Sequence, residues 1–230
     1  MDSHKIDRLV NYPTDDPIYQ IHSFNIDISA NHIYLTSADE YVHHEEMDEP
    51  GVEYCMASKF IKNLNILMRK SSDPILIHMK SCGGDWCEGM AIYDTIKACP
   101  NRVVILNYMH ARSMTSIIFQ AADKRVMMPN STFMFHDGAI GFEGTVKQYL
   151  TEADELVKSK DVMLDIYIRA MQERGKMSEK PASQIKRWLV DQMNKKEEVY
   201  LSADQAVEYG FADEIFGQSG SYDWKKLIED

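Results

Sequence analysis

The sequence predicts an α/β domain with a largely parallel β-sheet assembled from βαβ units. Short apolar runs rich in branched residues, such as Ile75-Leu-Ile-His-Met79 and Val103-Val-Ile-Leu-Asn-Tyr108, are typical of buried strands. Between these runs, apolar residues recur at steps of three and four, a spacing that is typical of amphipathic helices. Strands that alternate with helices favour parallel pairing, because each helix carries the chain back to the same edge of the sheet.

The N-terminal third is the least regular part of the sequence. Residues 1–20 are polar and contain two prolines, so we expect an N-terminal arm ahead of a single domain over residues 21–230. Alternating apolar residues over 24–28 and 32–36 predict two short strands around a turn. Residues 39–51 are acidic and include the cluster His43-His44-Glu45-Glu46, but neither a helix nor a strand pattern frames them. We therefore predict a solvated loop there and no metal site.

The central elements follow from the same periodicities. In order, they are a helix over 52–70, a strand at 75–79, a helix ending near Cys99, a strand at 103–108, a helix starting near Ser113, and a hairpin-like pair of strands at 125–128 and 132–135.

Beyond residue 138 the pattern becomes helical. A helix of about residues 145–173, polar on one side, forms a handle that we expect to project from the domain and contact a neighbour. A further helix carries apolar residues from 185 to 193, and a last short helix is capped by Ser202 and closed by Gly210.

Composition excludes several classes of function. The net charge of −11 argues against nucleic acid or anionic membrane as the main partner. We see neither an apolar run of the ~20 residues needed to cross a bilayer nor an apolar secretory signal, so we expect a cytoplasmic protein. The four cysteines form no CxxC pair, which indicates reduced thiols. We expect no metal and no cofactor.

Three strand ends carry chemically useful groups. Ser113 follows the strand at 103–108 and lies where a helix begins, beside unpaired N–H groups that can stabilise an oxyanion. The alternative is that Ser113 only caps that helix. Gly83 and Gly84 follow the strand at 75–79, and His136 follows the strand at 132–135. Strand ends at one edge of a parallel sheet converge, so these residues can form one nucleophilic site.

In this order and spacing, the segment from residue 75 to about 215 resembles the proteolytic subunit of Clp proteases, a family of serine peptidases. The matching motifs are Ser81-Cys-Gly-Gly-Asp85, Gly89-Met-Ala-Ile-Tyr-Asp-Thr-Ile96, Ala111-Arg-Ser-Met114, Met128-Pro-Asn-Ser131, Met134-Phe-His136, Gly141-Phe-Glu-Gly144 and Leu201-Ser-Ala-Asp-Gln-Ala-Val-Glu-Tyr-Gly210.

The resemblance implies roles for individual residues. Ser113 matches the family's nucleophile and His136 its general base, while the N–H groups of Gly83 and Met114 match its oxyanion hole. It also implies that substrate binds as an added strand. The residues expected to line that strand are Gly84, Gly141, Phe142, Glu143 and Gly144.

The third member of the triad is less clear from the sequence. The family usually has an aspartate four residues before the serine of its Leu-Ser-Ala motif, and Glu198 stands at that position here. Glutamate is one methylene longer but can still orient a histidine. The stretch before it is longer than usual, so Glu197 and Asp191 remain alternatives.

The residues around the nucleophile also depart from the family pattern. Met109, His110 and Arg112 stand where the family has small residues, and Thr115 replaces a common glycine. We expect His110 and Arg112 to point away from the site, into strand packing or a salt bridge. These departures resemble divergent family members carried by phages.

The resemblance implies an ATP-dependent endopeptidase that cleaves unfolded polypeptides and short peptides inside stacked rings of identical subunits. An AAA+ ATPase unfoldase would deliver the substrate, because the sequence contains no P-loop. Two alternatives remain. One is a catalytically weakened scaffold subunit; the other is an acyl-CoA enzyme of the crotonase type, which shares the fold but uses acidic catalysts.

Overall fold

The structure, a computed structural model, describes residues 16–36, 51–138, 141, 143–218, 220 and 223–229. Its helices are α1 (Pro17–Phe24), α2 (Tyr54–Lys70), α3 (Trp86–Lys97), α4 (Met114–Phe119), α5 (Val146–Glu173), α6 (Ala182–Lys196), α7 (Ala203–Tyr209) and α8 (Trp224–Glu229). Its strands are β1 (Ile26–Asp27), β2 (His32–Leu35), β3 (Ile75–Ser81), β4 (Val103–Arg112), β5 (Lys124–Met127), β6 (Thr132–Phe135), β7 (Val199–Ser202) and β8 (Glu214–Ile215). The α/β class predicted from the sequence is confirmed.

The strands form one largely parallel sheet. Its main path runs β1-β2-β3-β4-β5-β8, and β6 joins it through β4 and carries β7. All pairs are parallel except β1 with β2 and β6 with β7. Val103, Ile105 and their neighbours on one face belong to the main core under the helices. Val104 and Leu106 belong to a second core on the opposite face. Burial on both faces explains why β3 and β4 read as continuous apolar runs.

Strand β4 pairs with two successive strands along its length. Val104–Asn107 pairs with β5, and His110–Arg112 pairs with β6. The hairpin expected for 125–128 and 132–135 is therefore wrong, because both strands run parallel to β4 and do not pair with each other. The turn between them, closed by a bond from Ser131 N–H to the Met128 carbonyl (3.0 Å), shifts the chain along β4 without reversing its direction.

A bulge in β4 sets the direction of its last residues. Met79 pairs with Asn107 and Ser81 pairs with Ala111. Strand β4 therefore advances four residues where β3 advances two. The buried Asn107 amide spans this bulge; in the amide orientation that satisfies both neighbours, it donates to the His110 carbonyl (2.9 Å) and accepts from Ala111 N–H (3.2 Å). Bulges re-aim side chains, and this one lies just ahead of the predicted nucleophile.

The handle helix is present as α5, Val146–Glu173, close to its predicted length. Its buried residues all lie in the second half, from Met163 onward. Within the described ranges, none of the helices combines the length and apolar character needed to cross a membrane.

At the N-terminus, residues 17–24 form the short helix α1, capped by the Asp16 side chain. The strand predicted at 32–36 is present as β2, and it pairs antiparallel with β1. The strand predicted at 24–28 is shorter than expected, because Phe24 ends α1 and only Ile26–Asp27 pairs as β1. Residues 1–15 of the expected arm and residues 39–50 of the predicted acidic loop lie outside the described residues.

Candidate active site

Ser113 occupies a sharp turn between β4 and α4. Its backbone has φ 52° and ψ −130°, a conformation that residues with a side chain rarely adopt. Its N–H donates to the Met134 carbonyl on β6 (3.1 Å), and its carbonyl accepts from Ser116 Oγ (2.6 Å). A strained strand-to-helix turn of this kind presents a nucleophile at the top of a sheet.

His136 follows β6 directly and faces the serine. Its Nε2 lies 2.8 Å from Ser113 Oγ. The two residues meet because β6 runs parallel to the end of β4, which brings the carboxyl ends of both strands to one edge. Ser113 stands at the N-cap of α4, but its hydroxyl makes no capping hydrogen bond. The Ser113 side chain therefore does not cap the helix, which was the alternative interpretation of this residue.

Two backbone N–H groups, those of Gly83 and Met114, lie beside the serine. Neither Gly83 nor Met114 donates its N–H to another group within the described part of the chain. Gly83 has φ 109°, and a Cβ there would come within 2.6 Å of the Ser113 Cβ. Glycine is therefore required for the loop to approach this closely. The arrangement suits two donors to one oxyanion.

The loop after β3 is held by Val52, on the segment before α2. Val52 N–H donates to the Gly83 carbonyl (2.5 Å), and Asp85 N–H donates to the Val52 carbonyl (2.8 Å). These bonds form a parallel bridge between Val52 and Gly84. In such a bridge the N–H and carbonyl of Gly84 point to the opposite edge, where an extended chain can pair with them.

Thr115, which replaces the family's common glycine, fixes the turn from inside. It is fully buried, and its hydroxyl lies 3.0 Å from the Ser81 carbonyl and 2.8 Å from the Arg112 carbonyl. It also accepts from Arg112 N–H (3.2 Å). The end of β3 and the serine turn are thereby joined by one side chain.

Burial lowers the pKa of His136 below its ordinary value. The Glu198 carboxylate acts in the opposite direction, and Asp137 and Glu197 do so more weakly, while the Arg112 guanidinium lowers the pKa further. The net effect keeps the imidazole neutral at pH 7, so it can accept a proton from the serine.

Glu198 is the carboxylate best placed to act as the third member of the triad, but it does not hydrogen-bond to His136. Phe135 pairs with Val199 across β6 and β7, so the next positions along the two strands are His136 and Glu198. Within the described residues, the one hydrogen bond of the His136 imidazole is to Ser113. Glu198 Oε2 instead accepts from the Tyr200 hydroxyl (2.9 Å).

The other candidate carboxylates are less well placed to act on His136. Asp137 is paired with Lys160 of α5 at 2.6 Å. Glu197 has a weaker influence on His136 than Glu198, and Asp191, exposed on α6, is not among the groups that shift its pKa. The choice of Glu198 from the sequence stays a prediction, favoured by the strand register.

The expectation for Arg112 differs from the structure, whereas His110 behaves as expected. His110 Nδ1 lies 3.2 Å from Thr132 Oγ1 on the neighbouring strand, a strand-packing contact. Arg112 turns toward the site, where its Nε donates to the Cys82 carbonyl (3.1 Å). The cause is the loop after β3, which offers a carbonyl within reach of the guanidinium.

The segment expected to line the substrate is only partly described. Gly141, Glu143 and Gly144 are exposed between His136 and the start of α5, and Phe142 lies outside the described residues. No group of three or more histidine, cysteine or acidic side chains suited to hold a metal ion occurs among the described residues.

Sequence reasoning missed two residues that shape the site, Asn107 and Tyr200. Asn107 is a single polar residue within an apolar strand, and that contrast is a usable signal. Tyr200 lies two residues after Glu198, a spacing that puts both side chains on one face of a strand. Their partners depend on register, which the sequence does not contain.

Comparison with known proteins adds an independent finding. The model of the Clp protease family matches residues 47–219. The chain is 29% identical over 171 residues to an ATP-dependent Clp protease proteolytic subunit of Deinococcus radiodurans, an alignment that covers 73% of this chain and 78% of that protein. It is 29% identical over 167 residues to proteolytic subunit 2 of Pseudomonas aeruginosa, covering 72% and 77%.

A third relative, proteolytic subunit 2 of Tropheryma whipplei, is 30% identical over 155 residues, covering 65% of this chain and 79% of that protein. The family match spans every strand and turn that builds the site around Ser113. The chain therefore belongs to the Clp protease family, which confirms the resemblance carried by its motifs.

Proposed function

We propose that this chain is a serine endopeptidase subunit in which Ser113 is the nucleophile and His136 the general base. The observation that carries the proposal is the 2.8 Å contact between Ser113 Oγ and His136 Nε2 at a strained turn. Membership of a peptidase family sets the reaction class, hydrolysis of a peptide bond.

The chemistry follows from the positions of these groups. Neutral His136 takes the hydroxyl proton while Ser113 Oγ attacks the substrate carbonyl. The N–H groups of Gly83 and Met114 stabilise the negative charge on the tetrahedral oxygen. His136 then gives the proton to the leaving amine and activates water to release the acyl group. Glu198 acts on the imidazole as the third member and stabilises its cation.

Substrate is proposed to bind as an extended chain. The outward edge of Gly84 supplies backbone hydrogen-bonding groups on one side. The other side is proposed to be supplied by the exposed Gly141, Glu143 and Gly144, together with Phe142, which lies outside the described residues. Backbone pairing of this type selects for an unfolded chain more than for particular side chains. Unfolded polypeptides and short peptides are therefore the proposed substrates.

Assembly into stacked rings is proposed from the first half of α5. Here a stripe of apolar side chains is exposed to solvent, and a contiguous apolar surface of this kind marks a contact with another protein. The stripe consists of Val146, Tyr149, Leu150, Leu156 and Val157. A second copy of the chain is the proposed occupant. An AAA+ unfoldase is proposed as the ATPase partner, because the names of the relatives describe an ATP-dependent protease.

The first prediction tests the nucleophile. Ser113→Ala is expected to lower hydrolysis of a fluorogenic peptide at least about a thousandfold, because the attacking oxygen is removed. Labelling by a fluorophosphonate should be lost as well, while sedimentation should be unchanged. Ser183→Ala, at an exposed position on α6, is the matched control and should behave as wild type. Full labelling of the Ser113 variant would overturn the assignment.

A catalytically weakened scaffold subunit is the second candidate, favoured by the missing bond between Glu198 and His136. This candidate predicts that the wild-type chain assembles but neither hydrolyses peptide nor reacts with the phosphonate. The same experiment therefore separates the two functions.

A further inference from the structure

We propose that Arg112 is a positioning residue of the peptidase site, holding the oxyanion loop on one side and, through Tyr200, the Glu198 carboxylate on the other. The inference rests on the proposed function. It concerns a residue for which the family has a small side chain, so it assigns a role that belongs to this chain.

The contact with the oxyanion loop is made through a single peptide group. Arg112 Nε donates to the Cys82 carbonyl (3.1 Å), and that carbonyl shares its peptide plane with Gly83 N–H. The described chain has no cis peptide bonds, so the carbonyl and the N–H point in opposite directions. By holding the carbonyl, Arg112 fixes the direction of the N–H toward Ser113. A charged donor also polarises the peptide group and strengthens its N–H as a donor.

The contact with Tyr200 follows from strand register. Arg112 pairs with Met134, and Met134 pairs with Tyr200, so Arg112 and Tyr200 rise from the same face of the sheet with β6 between them. The Arg112 guanidinium interacts with the Tyr200 hydroxyl and lowers its pKa, against a larger opposing effect of Glu198. The Tyr200 hydroxyl donates to Glu198 Oε2 (2.9 Å).

Without this contact, Glu198 would be an unrestrained side chain. It is exposed and follows Glu197, whose φ of 56° marks a tight turn after α6. Ordering a long exposed side chain costs conformational entropy, and the tyrosine hydroxyl offsets part of that cost. The row Arg112–Tyr200–Glu198 thus connects the oxyanion loop to the carboxylate that acts on His136.

The charges around His136 give the proposal a specific signature. Among the described residues, four charged groups act on the imidazole: Glu198 and Glu197 before β7, Asp137 after β6, and Arg112 at the end of β4. Asp137 is already paired with Lys160. Arg112 lowers the pKa of His136 and Glu198 raises it. Loss of Arg112 should therefore move the acidic limb of the kcat/KM pH profile to higher pH, and loss of Glu198 should move it to lower pH.

The experiment compares Arg112→Met, Arg112→Lys and Tyr200→Phe in the full chain, with steady-state peptide hydrolysis measured from pH 5 to 9. For Arg112→Met we expect kcat to fall about tenfold with KM within about twofold, since an oxyanion donor is misdirected but not removed. Its acidic limb should move to higher pH. Arg112→Lys should keep the limb of wild type, because the charge remains, and lose part of kcat.

Tyr200→Phe removes a single hydroxyl and leaves the ring. We expect kcat to fall roughly threefold, the size of one hydrogen bond. The acidic limb should move to lower pH, because a less well held Glu198 stabilises the imidazolium less. The matched controls are Arg187→Met, at an exposed position on α6, and Tyr19→Phe on α1, and both should match wild type.

The outcomes separate this inference from the proposed function. If wild type hydrolyses peptide and Ser113→Ala does not, but Arg112→Met and Tyr200→Phe keep the wild-type kcat and pH profile, the positioning role is overturned alone. If wild type is inactive and unlabelled, the proposed function fails first. If Arg112→Met does not fold, as judged by circular dichroism, the kcat and the acidic limb of Tyr200→Phe and Arg112→Lys decide whether Arg112 has the positioning role.

Discussion

Single residues at the site are held by hydrogen bonds that involve their backbone groups. Ser113 is fixed by Met134 through its N–H and by Ser116 through its carbonyl. The buried Thr115 hydroxyl ties the same turn to the end of β3. A site defined to within a fraction of an ångström needs such support, because small displacements of reacting groups cost large factors in rate.

The carboxylate behind His136 gives a prediction at this scale. Glu198→Gln is expected to lower kcat roughly a hundredfold, because an amide cannot stabilise the imidazolium as a charge does. Asp191→Asn, which exchanges a carboxylate for an amide on an exposed turn of α6, should leave kcat within about twofold, the range of ordinary surface changes. Peptide hydrolysis at saturating substrate measures both. If Asp191→Asn lowers kcat and Glu198→Gln does not, Asp191 is the third member of the triad.

The sequence predicts the residues that sit at junctions and misses those that meet through register. Ser113, His136 and Gly83 were identifiable because each follows a strand, and strand ends of a parallel sheet converge. Tyr200 was not, since its bond to Glu198 depends on which residues of β7 face β6. The direction predicted for the Arg112 side chain is wrong for a similar reason, because its acceptor is a carbonyl in the loop after β3.

At the scale of elements, the second face of the sheet holds a polar cluster that the chain order does not suggest. His78 on β3 is buried, with Nδ1 2.9 Å from the Tyr108 hydroxyl on β4 and Nε2 3.1 Å from His32 Nδ1 on β2. The rings of Tyr34 and Trp224 pack against it at 4.6 and 5.0 Å between centroids. Helix α8 thereby closes this face, with Leu227 buried in the second core.

This cluster makes folding stability depend on pH. Burial, together with the nearby His32, lowers the pKa of His78 to about 3. An unfolded histidine titrates near pH 6.5, so below that value the unfolded state binds more protons and the free energy of unfolding falls. At ~1.4 kcal/mol per pKa unit, the loss between pH 6.5 and pH 4 is about 3 kcal/mol.

Urea unfolding at several pH values measures this dependence. His78→Gln should flatten the plot of the free energy of unfolding against pH between pH 6.5 and pH 4, because the titrating group is gone. His22→Gln, at an exposed position on α1, is the matched control and should keep the slope of wild type. An equal slope in wild type and His78→Gln would contradict the prediction.

At the scale of the whole molecule, α5 has two halves of different character. Its second half is buried against the main core, while Tyr149, Leu150 and Val157 in the first half are more than half exposed. The 3.6-residue period predicts the whole helix, but it does not predict that part of its apolar face is exposed in the described structure. Exposed apolar faces of this kind are typical of contacts with another protein.

Assembly is therefore expected to depend on this stripe. Leu150→Asp should shift the sedimentation profile from assembled species toward single subunits, because a charge in an apolar contact must be desolvated. Thr151→Asp adds the same charge one residue later, off the stripe, and should sediment as wild type. Identical profiles for the two variants would exclude the stripe as the contact.

The backbone of Ser113 has one more consequence, a trade-off between stability and activity. A residue with a Cβ pays of order 1–2 kcal/mol to adopt a conformation such as this one, and glycine does not. With Ser113 as the proposed nucleophile, the residue expected to give activity at this position is not the one expected to give most stability, so selection for heat resistance alone should favour Ser113→Gly at the expense of hydrolysis. The hydrogen bonds of Thr115 and Ser116 hold the turn in this conformation.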